Sequence, residues 1–523
     1  MKKLPIGQQD FENLQNDGCI YVDKTAYIHE MLTSGGRAFF LSRPRRFGKS
    51  LLLNTVKSIF QGKKELFKDL YIEDKIDWQP YPVVMIDLSK NAESVKALQG
   101  ALSASLRNNA ELHRIQLDDI DDPSVLLEQL IIRLYLEVGK QVVVLVDEYD
   151  KPILDKIDDL GQANEIRKML QTFYGVLKAS SSYMKFLMVT GITKVSQTSI
   201  FSGFNNLKDI SFDNRYAGIC GYTQEELEYN FSEYIQSVAA RKKINRADML
   251  TEIQRWYNGY SWDAKTFVYN PFSVLLLFDQ GRFKPHWYST GTPTFLLKLL
   301  KTDDNLETVL QNAIGVFDTF TDGQALENLG TIALLFQSGY LTIKRYEEAE
   351  RSYELQIPNE EVRIAIAELI LLDLNNEDDA RLHELSKNIR LGFSNGNTDT
   401  AISSMKSLLA NTTYNTHSSN ENESHYQALF QLALTLSGID HRSESLHSNG
   451  RTDAVLIFDK HVYVIEIKYA RNKESLETAL NNGMTQIKKS QYALPYTNQG
   501  KTIHLLALAF TKGDVSFTEE VLD

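Results

Sequence analysis

Residues 452–468 have the sequence TDAVLIFDKHVYVIEIK, in which two apolar runs are separated by a short polar turn. The runs Thr452–Asp459 and Val462–Lys468 are rich in β-branched and aromatic residues and have the length of single strands. The segment is therefore predicted to form an antiparallel hairpin within a sheet.

The register of this hairpin brings two acidic side chains together. A turn at Asp459 and Lys460 places Asp453 directly opposite Glu466, with the two Cβ atoms about 4.5–5.5 Å apart. Because like charges repel at that distance, we expect a divalent cation between the two carboxylates. Lys468 lies two residues after Glu466 and therefore projects from the same face of the strand. Two metal-binding carboxylates beside an ammonium group predict a site for phosphodiester hydrolysis.

Two simpler interpretations of these residues stay open from the pattern alone. Asp453 could be the first residue of a strand turned to solvent, and Glu466 with Lys468 could form an ion-paired face at a sheet edge. An acid followed by a Glu-x-Lys triplet also arises by chance in many chains. The hydrolytic interpretation therefore depends on agreement with further features.

Asp453, Glu466 and Lys468 in this hairpin resemble the core motif of the PD-(D/E)XK nuclease superfamily. The resemblance implies a restriction-endonuclease-like α/β domain in which Asp453 and Glu466 bind Mg²⁺, or Mn²⁺ in its place, and Lys468 assists catalysis. It also implies supporting catalytic roles for Glu423, on the helix before the hairpin, and for Gln486, on the helix after it.

One position departs from the superfamily pattern. The stretch NESHY at residues 422–426 is followed by Gln427, where such folds commonly carry a histidine. The departure leaves the three central residues of the motif intact.

A second informative stretch, residues 38–50, has the sequence AFFLSRPRRFGKS and leads from an apolar strand through a turn into an amphipathic helix. This order of strand, loop and helix is the context of a phosphate-binding loop. Backbone N–H groups around Gly48 would cradle phosphates, Lys49 would reach the terminal phosphates and Ser50 would hold Mg²⁺. Arg43 occupies the position of the first glycine of the pattern, which limits the backbone conformations open to the loop.

An acidic strand end, in residues 141–150 (QVVVLVDEYD), complements the phosphate loop. A wholly apolar run predicts a strand buried on both faces of a parallel sheet, whose carboxyl edge binds ligands. Asp147 would hold Mg²⁺ through water, and Glu148 would polarise the attacking water. A further strand, residues 184–190 (MKFLMVT), ends in Thr190, a candidate sensor of the γ-phosphate. Together these segments predict an ATP-hydrolysing α/β domain.

The motifs of this region also resemble a predicted AAA-type ATPase family of bacteria whose members carry a C-terminal PD-(D/E)XK domain. The matching stretches are Arg43–Ser50, Asp147–Pro152, Thr190–Ile192, Trp256–Tyr260, Ser289–Pro293 and Leu335–Leu341. The resemblance covers nearly the whole chain and implies an AAA/ASCE-like P-loop fold. In this family an arginine at the position of the first glycine is common.

Charge is distributed unevenly along the chain. The net charge of −12 argues against a general coat for nucleic acid. Residues 460–501, around the predicted metal site, nevertheless hold seven Lys or Arg against three Glu, which favours a basic groove over the alternative of a solvated helix face. Near the phosphate loop, Arg45, Arg46 and Arg215 are candidates for contacts to the nucleotide.

The length of 523 residues indicates several domains, each with its own core. Four segments are predicted: a P-loop AAA-type ATPase-like domain at 1–225, a helical or winged-helix-like lid at 226–345, a helical connector at 346–414, and the nuclease-like domain at 415–523. In the lid, the aromatic cluster around Trp256 and Trp262 admits base stacking, but packing between elements is the favoured interpretation.

Targeting and redox features indicate a cytoplasmic protein. The first ten residues lack the apolar stretch of a signal peptide, and no apolar run approaches a transmembrane length. Cys19 and Cys220 are far apart and lack metal-ligand spacing, so we expect neither a disulfide nor a zinc site.

Taken together, these features favour an ATP-binding protein coupled to a metal-dependent phosphodiesterase that acts on nucleic acid, on DNA rather than RNA, in defence or in the processing of mobile DNA. ATP and Mg²⁺ are the expected cofactors. No membrane partner is expected, and a homo-oligomer is compatible with the sequence. The alternative is a nucleotide-operated switch whose nuclease-like domain binds nucleic acid or protein without cutting.

Overall fold

The structure is a computed structural model, and it describes most of the chain. The described residues are 1–89, 94–157, 159–194, 200–201, 206–287, 314–317, 320, 330–375, 379–409, 423–447, 450–497, 500–512 and 514–522. They group into two compact units, one built from Met1–Gly291 and Asn312–Glu361 and the other mainly from Val362–Asp523.

The helices of the described residues are numbered in chain order. The first unit contains α1 Phe11–Asn16, α2 Thr25–Thr33, α3 Lys49–Phe60, α4 Val95–Leu112, α5 Pro123–Val138, α6 Lys151–Leu154, α7 Leu160–Ala179, α8 Gln224–Asn230, α9 Ser232–Lys242, α10 Arg246–Tyr257, α11 Pro271–Gln280 and α12 Thr331–Ser338. The chain passes into the second unit within α13 Glu360–Asn375, which is followed by α14 Asp379–Ser394, α15 Thr398–Leu409, α16 Glu423–Leu436 and α17 Leu476–Lys489.

The strands form three sheets. The first unit holds β1 Ala38–Ser42, β2 Val83–Asp87, β3 Val142–Asp147, β4 Met184–Gly191, β5 Lys208–Asp209, β6 Ile314–Phe317, β7 Thr342–Glu347 and β8 Ser352–Gln356. The second unit holds β9 His441–His447, β10 Gly450–Ile457, β11 His461–Tyr469, β12 Thr502–Thr511 and β13 Asp514–Leu522.

The first sheet is five-stranded and parallel, with the order β2-β3-β4-β1-β5. Every residue of β1 and β3 is buried, as in a parallel sheet that is covered on both faces. Because β4 lies between β1 and β3, the end of β4 stands between the phosphate loop and Asp147. The predicted parallel α/β domain is therefore confirmed.

Local sequence signals explain where several helices begin and end. Helix α5 is capped by Asp122, has Pro123 in its first turn and ends at Gly139 in the left-handed conformation. Helix α8 begins at a capping box in which Thr223 and Glu226 bond reciprocally. These ends satisfy backbone groups that a helix leaves without intrahelical partners.

The segment after the parallel sheet combines helices with a small sheet. Helices α8 to α11 are followed by an antiparallel sheet of order β6-β8-β7, and α12 precedes the β7–β8 hairpin. The sequence interpretation included the helices but not this hairpin, which spans 342–356. The predicted boundaries at 225 and 345 stay predictions, and the boundary at 414 lies outside the described residues.

The second unit is built on a mixed sheet of order β13-β12-β11-β10-β9. Only the β11–β12 pair is parallel among its described strand pairs. The apolar residues of β11 and β12 are buried, and α17 packs a cluster around Ile487 against them. The α/β character predicted for the C-terminal region is confirmed.

None of the helices formed by the described residues combines the length and apolar character that crossing a bilayer requires.

Candidate nucleotide and nuclease sites

The phosphate loop, residues 43–48, joins β1 to the start of α3 at Lys49. Gly48 has a φ of 96°, and no atom lies within 4 Å of the position that a Cβ would take there. The glycine is therefore needed for its left-handed backbone rather than for space. Arg46 also has a positive φ, of 68°. The first turn of α3 leaves backbone N–H groups without helical partners, which makes this end of the helix a site for anions.

Lys49 is buried at the base of the loop. Its Nζ donates to the carbonyl oxygens of Arg43 at 2.9 Å and of Pro44 at 3.0 Å. Burial lowers the pKa of Lys49, and the negative charge of Asp147 opposes that effect. The ammonium group therefore stabilises the loop carbonyls in this structure and lies beside the cleft in which phosphates would bind.

Asp147, at the end of β3, is the centre of a short hydrogen-bond network. Ser50 Oγ donates to Asp147 Oδ2 at 2.5 Å, and Thr190 Oγ1 donates to Asp147 Oδ1 at 2.5 Å. A hydroxyl and a carboxylate oxygen placed side by side at the phosphate loop fit the ligand preferences of Mg²⁺. Thr190 is fully buried and orients Asp147, while its predicted contact with a γ-phosphate stays a prediction.

Glu148 follows Asp147 with an unusual backbone conformation. Its φ is 53°, and it lines the cleft beside the loop. Burial raises the pKa of Glu148, while the positive charge of Lys49 opposes the rise. A carboxylate with a raised pKa is better matched to accepting a proton near neutral pH.

The cleft beside the phosphate loop has a volume of about 380 Å³. Its lining includes four cationic side chains, which are those of Arg45, Arg46, Lys49 and Lys151. This charge suits a polyphosphate. Arg215, by contrast, bonds Asp213 at 2.5 Å and is not among the described residues that line the cleft.

A smaller pocket of about 70 Å³ adjoins the cleft and shares part of its wall. Apolar groups dominate its lining, including Ile20, Val22, Leu51 and Ile219. A flat apolar group attached to a phosphate chain would find a matching environment there.

Arg43 belongs to the phosphate loop, but it is not among the described residues that line the cleft beside it. Its guanidinium group is buried and lies 4.0 Å from the centre of the Trp262 ring. The same group donates at 2.8 Å to the carbonyl oxygens of Ser42 and Ser211. Arg43 therefore secures the loop to the interior of the unit in a place where glycine would make no such contact.

In the second unit, the hairpin β10–β11 has the predicted register. Ala454 pairs with Ile465 and Ile457 pairs with Val462, and Phe458 N donates to His461 O at 2.8 Å. Extending this register by one residue beyond the Ala454–Ile465 pair places Asp453 opposite Glu466, as the sequence predicted.

Asp453 is held by two donors from different elements. Gln427 Nε2, on α16, donates to Asp453 Oδ1 at 2.9 Å. The backbone N–H of Ile467, on β11, donates to Asp453 Oδ2 at 2.7 Å. The carboxylate is thereby aimed toward the strand that carries Glu466.

Glu466 is the most unusual acid of the second unit. The side chain is 1% exposed, and its Oε2 has no hydrogen-bond partner among the described residues. Burial, followed by the charge of Asp453, raises the pKa of Glu466 to about 7. Because buried polar atoms are normally paired, an orphaned carboxylate oxygen beside a second carboxylate fits a cation-binding position. Asp453 and Glu466 are the residues that would hold the ion.

Lys468 connects this acid to the preceding helix. Its Nζ lies 3.0 Å from Glu466 Oε1 and 3.1 Å from Glu423 Oε1. Burial opposes the charge of Lys468, but the two carboxylates outweigh burial and raise its pKa. The ammonium group therefore stays charged at the position where the sequence motif predicts it.

Among the described residues, no group of three or more His, Cys, Asp or Glu side chains is arranged to hold a metal ion.

Helix α17 approaches the site through a glycine. A Cβ on Gly483 would lie 3.1 Å from Ala507 Cβ, 3.6 Å from Lys468 Cγ and 3.8 Å from Glu466 Cγ. Gln486 is one turn further along the same face of α17 and is partly buried, and its predicted catalytic role stays a prediction.

The basic segment around the site is only partly available to a ligand. Lys488 forms an ion pair with Glu520, and Lys501 donates to the carbonyl oxygen of Phe458 at 2.8 Å. Arg471 and Lys473 are exposed just after β11 and follow Lys468 closely in sequence.

Two residues near these sites were given no role by sequence reasoning. Gln427 appeared only as a departure from a family pattern, yet it bonds Asp453 directly. Its spacing of four residues from Glu423 on a helix could have indicated that both face the same side. Lys151 lines the nucleotide cleft from the first turn of α6. Its position shortly after Asp147 and Glu148 in the sequence could have indicated that it lies near the cleft.

The fold and these sites define a two-part protein, a P-loop ATPase-like domain followed by a nuclease-like domain. A family model described as "Predicted AAA-ATPase" matches residues 5–201, and one described as "PD-(D/E)XK nuclease superfamily" matches residues 421–520. A protein of Azotobacter chroococcum mcd 1, described as "Uncharacterized protein in vnfD 5'region", is 35% identical to this chain over 529 residues. The alignment covers 100% of this chain and 99% of that protein. The chain belongs to this family of predicted AAA-ATPases with a C-terminal PD-(D/E)XK nuclease superfamily domain.

A comparison of structures found the crystal structure of Cdc6p from Pyrobaculum aerophilum. The match has 14% sequence identity and a TM-score of 0.24, and it covers 72% of this chain and 97% of the other. A TM-score at this level does not establish that the two proteins share a fold.

Of the sequence stretches that resemble the family, Ser289–Pro293 lies outside the described residues.

Proposed function

We propose that this protein binds and hydrolyses ATP in its first unit and cleaves nucleic acid, with a divalent metal ion, in its second. The observation that carries the nuclease proposal is the half-buried Asp453 beside the buried Glu466, whose Oε2 has no partner among the described residues. Lys468 adds the cation that a phosphodiester-cleaving site uses beside its metal ligands.

In the nucleotide cleft, different residues would bind the phosphates, hold the metal ion and orient the attacking water. The N–H groups at the start of α3 and the side chain of Lys49 would bind the phosphates, and Arg45 and Arg46 would neutralise them from the loop. Ser50 and Asp147 would hold Mg²⁺, which when bound neutralises charge that develops on the phosphates. Glu148 would orient the attacking water, and the adjoining apolar pocket would receive the base.

In the second unit, Asp453 and Glu466 would hold Mg²⁺ or Mn²⁺, which when bound supplies Lewis-acid stabilisation of the scissile phosphate. Gln427 and the Ile467 N–H keep Asp453 in place. Lys468 would donate to the developing charge on the phosphate, and Glu423 keeps Lys468 oriented.

ATP hydrolysis is tested with two variants of different expected behaviour. Lys49→Ala should lose nucleotide binding because the terminal phosphates lose their cation. Glu148→Gln should still bind ATP, with turnover reduced at least about a hundredfold, because water is no longer polarised. Equal turnover in the wild type and Glu148→Gln would contradict the assignment of Glu148.

The metal site is tested by calorimetric titration with Mn²⁺. In the absence of nucleotide, the wild type should bind one more ion than a variant with Asp453→Asn and Glu466→Gln. A matched control changes Glu474→Gln, an exposed acid a few residues downstream of Glu466. Equal Mn²⁺ affinity in the wild type and the double variant would contradict the site.

A second candidate function has one specific observation in its favour. Both oxygens of Asp453 accept hydrogen bonds, from Gln427 and from Ile467 N–H, so under this candidate Asp453 joins α16 to the hairpin and does not bind a metal. The C-terminal domain would then bind nucleic acid or protein as a nucleotide-operated switch and would not cut. Nucleic-acid binding without Mn²⁺ affinity or cleavage would favour this candidate.

A further inference from the structure

The phosphate loop is enclosed by aromatic side chains from a later part of the same unit. We call these residues the aromatic collar; they are Tyr260, Trp262, Phe272 and Trp287. Tyr260 and Trp262 belong to the aromatic cluster of the lid segment for which the sequence favours packing, whereas Phe272 and Trp287 were given no role by the sequence.

The collar contacts consecutive residues of the loop. The Phe272 ring lies 4.8 Å from the Arg46 guanidinium, which itself lines the nucleotide cleft. The Tyr260 ring meets the ring of Phe47 edge-on, with 4.8 Å between the centroids. With Trp262 over Arg43, the loop is held by edge-to-face ring contacts and cation–π contacts.

Trp287 contacts the backbone of the loop. Its indole Nε1–H donates to the carbonyl oxygen of Arg45 at 3.1 Å, and its side chain is buried. A conformational change of the loop on binding phosphates would therefore alter a hydrogen bond made by Trp287.

From Trp287, a first route leads to the start of α13. The backbone N–H of Trp287 donates to Glu361 Oε1 at 2.8 Å, and Ser273 Oγ lies 2.8 Å from both oxygens of Glu361. Glu361 is fully buried in the first turn of α13, the helix within which the chain leaves the first unit.

A second route begins at Tyr260 and reaches the residues just before α13. The neighbouring Gly259 has a φ of 102°, and a Cβ there would lie 2.1 Å from Pro358 O, so only glycine fits. Next to this contact, Asn359 Nδ2 donates to Asn258 O at 2.7 Å. The two routes start on adjacent parts of the phosphate loop and end within four residues of each other.

We propose that the aromatic collar positions the phosphate loop and couples its occupancy by ATP to the first turns of α13, with Trp287 and Asn359 as positioning residues. This inference rests on the proposed nucleotide binding. It does not require that the second unit cut nucleic acid. Because a bound polyphosphate orders the loop, the collar and the residues bonded to it become more ordered as well.

The test is amide hydrogen exchange of α13, at residues 364–371, in the full chain with and without a non-hydrolysable ATP analogue and Mg²⁺. In the wild type the analogue should slow exchange at least about threefold, because local opening of the helix becomes less favourable. Trp287→Phe keeps an aromatic ring but removes the indole N–H that bonds Arg45 O. Asn359→Ala removes the hydrogen bond to Asn258 O, on the second route. Each variant should show a smaller effect, and the double variant should show none.

Two controls make the result specific. Trp256→Phe changes a tryptophan of the same segment that stacks on Phe283, and it should respond like the wild type. The variants should bind the analogue within about tenfold of the wild-type affinity, since each loses one neutral hydrogen bond and keeps every group proposed to bind the phosphates. If one single variant fails to fold, the other still provides the comparison.

The outcomes separate this inference from the proposed function. Full protection of α13 in a double variant that binds the analogue would overturn the coupling. A wild type that binds the analogue without any change in α13 would also overturn it and would leave ATP binding intact. A wild type that binds no nucleotide would overturn both proposals.

Discussion

Glu466 combines three properties that rarely occur together in one carboxylate. It is buried, one of its oxygens has no partner among the described residues, and its pKa is raised to about 7 by burial and then by Asp453. A stability cost of this kind is expected at a site where a ligand completes the structure. Without a cation, the proton held by Glu466 partly removes the repulsion between the two acids.

Metal binding is therefore predicted to stabilise the second unit at alkaline pH. The folded state holds the Glu466 proton up to about pH 7, whereas an ordinary glutamate releases it near 4.5, so stability falls as pH rises through this window. At pH 8, saturating Mn²⁺ should add about 1–3 kcal/mol to the wild type and nothing to Glu466→Gln. Thermal unfolding with and without Mn²⁺ at pH 6 and 8 measures the effect, and an equal Mn²⁺ shift in the variant would contradict it.

Glu361 predicts a second pH dependence in the first unit. Burial raises its pKa from 4.5 to about 8, so the folded state binds more protons than the unfolded chain between these values. The free energy of unfolding should therefore fall as pH rises through this window, by up to about 1.4 kcal/mol per pH unit. Urea unfolding from pH 5 to 8 measures the slope. Glu361→Gln should flatten it, and identical slopes in both proteins would rule out the raised pKa.

Gln427 is predicted to position Asp453. Gln427→Ala removes the donor to Asp453 Oδ1 and should reduce Mn²⁺ affinity or cleavage about tenfold to a hundredfold, as loss of a group that orients a metal ligand does. Gln431→Ala, one turn along the same helix, is the matched control. Gln427→His tests whether the residue common in related folds also serves here. No change on Gln427→Ala would mean that Ile467 N–H alone orients the carboxylate.

At the scale of elements, the close approach of α17 to β11 and β12 depends on Gly483. Gly483→Val should destabilise the second unit by about 1–3 kcal/mol, because the added atoms meet Ala507 and the stems of Glu466 and Lys468. Gly100→Ala in α4 is the control, since its added Cβ meets no atom within 4 Å. Denaturant unfolding compares the variants, and equal stability of Gly483→Val and the wild type would show that α17 packs less tightly than described.

The sequence was most informative where local patterns decide structure. Two apolar runs and the turn position between them predicted the β10–β11 register, and apolar runs ending in a polar residue predicted β3 and β4 of the parallel sheet. The β7–β8 hairpin escaped because its polar strands, such as TIKRYE at 342–347, lack a buried alternating face. Element order in the sheets depends on contacts between distant residues, which local patterns do not specify.

The same distinction, between local patterns and contacts of distant residues, applies to the two candidate sites. Spacing identified Lys49, Asp147, Glu466 and Lys468 because each belongs to a short motif. It could not show that Thr190 bonds Asp147, or that Arg43 turns inward to Trp262, because these contacts join residues far apart in the chain. Two residues of the aromatic collar, Tyr260 and Trp262, stood out in the sequence as part of an aromatic cluster, but their contacts with the phosphate loop did not.

At the scale of the whole molecule, one chain carries two candidate sites that both handle phosphate groups. ATP is predicted to change the rate of nucleic-acid cleavage at least about threefold in the wild type, because α13, to which occupancy of the phosphate loop is proposed to couple, continues into the second unit. Lys49→Ala should cleave at the same rate with and without ATP. An ATP effect that persists in Lys49→Ala would show that the nucleotide acts elsewhere.

The most direct measurement is the release of labelled fragments from single- and double-stranded DNA and RNA by the full chain with Mg²⁺ or Mn²⁺, beside Glu466→Gln. The proposal predicts metal-dependent fragments from the wild type, with DNA preferred, and at least about a hundredfold less product from the variant, because the metal loses a ligand. Equal cleavage by both proteins would place the activity outside this site. No cleavage of any substrate by a wild type that still hydrolyses ATP would contradict the nuclease assignment and favour the switch.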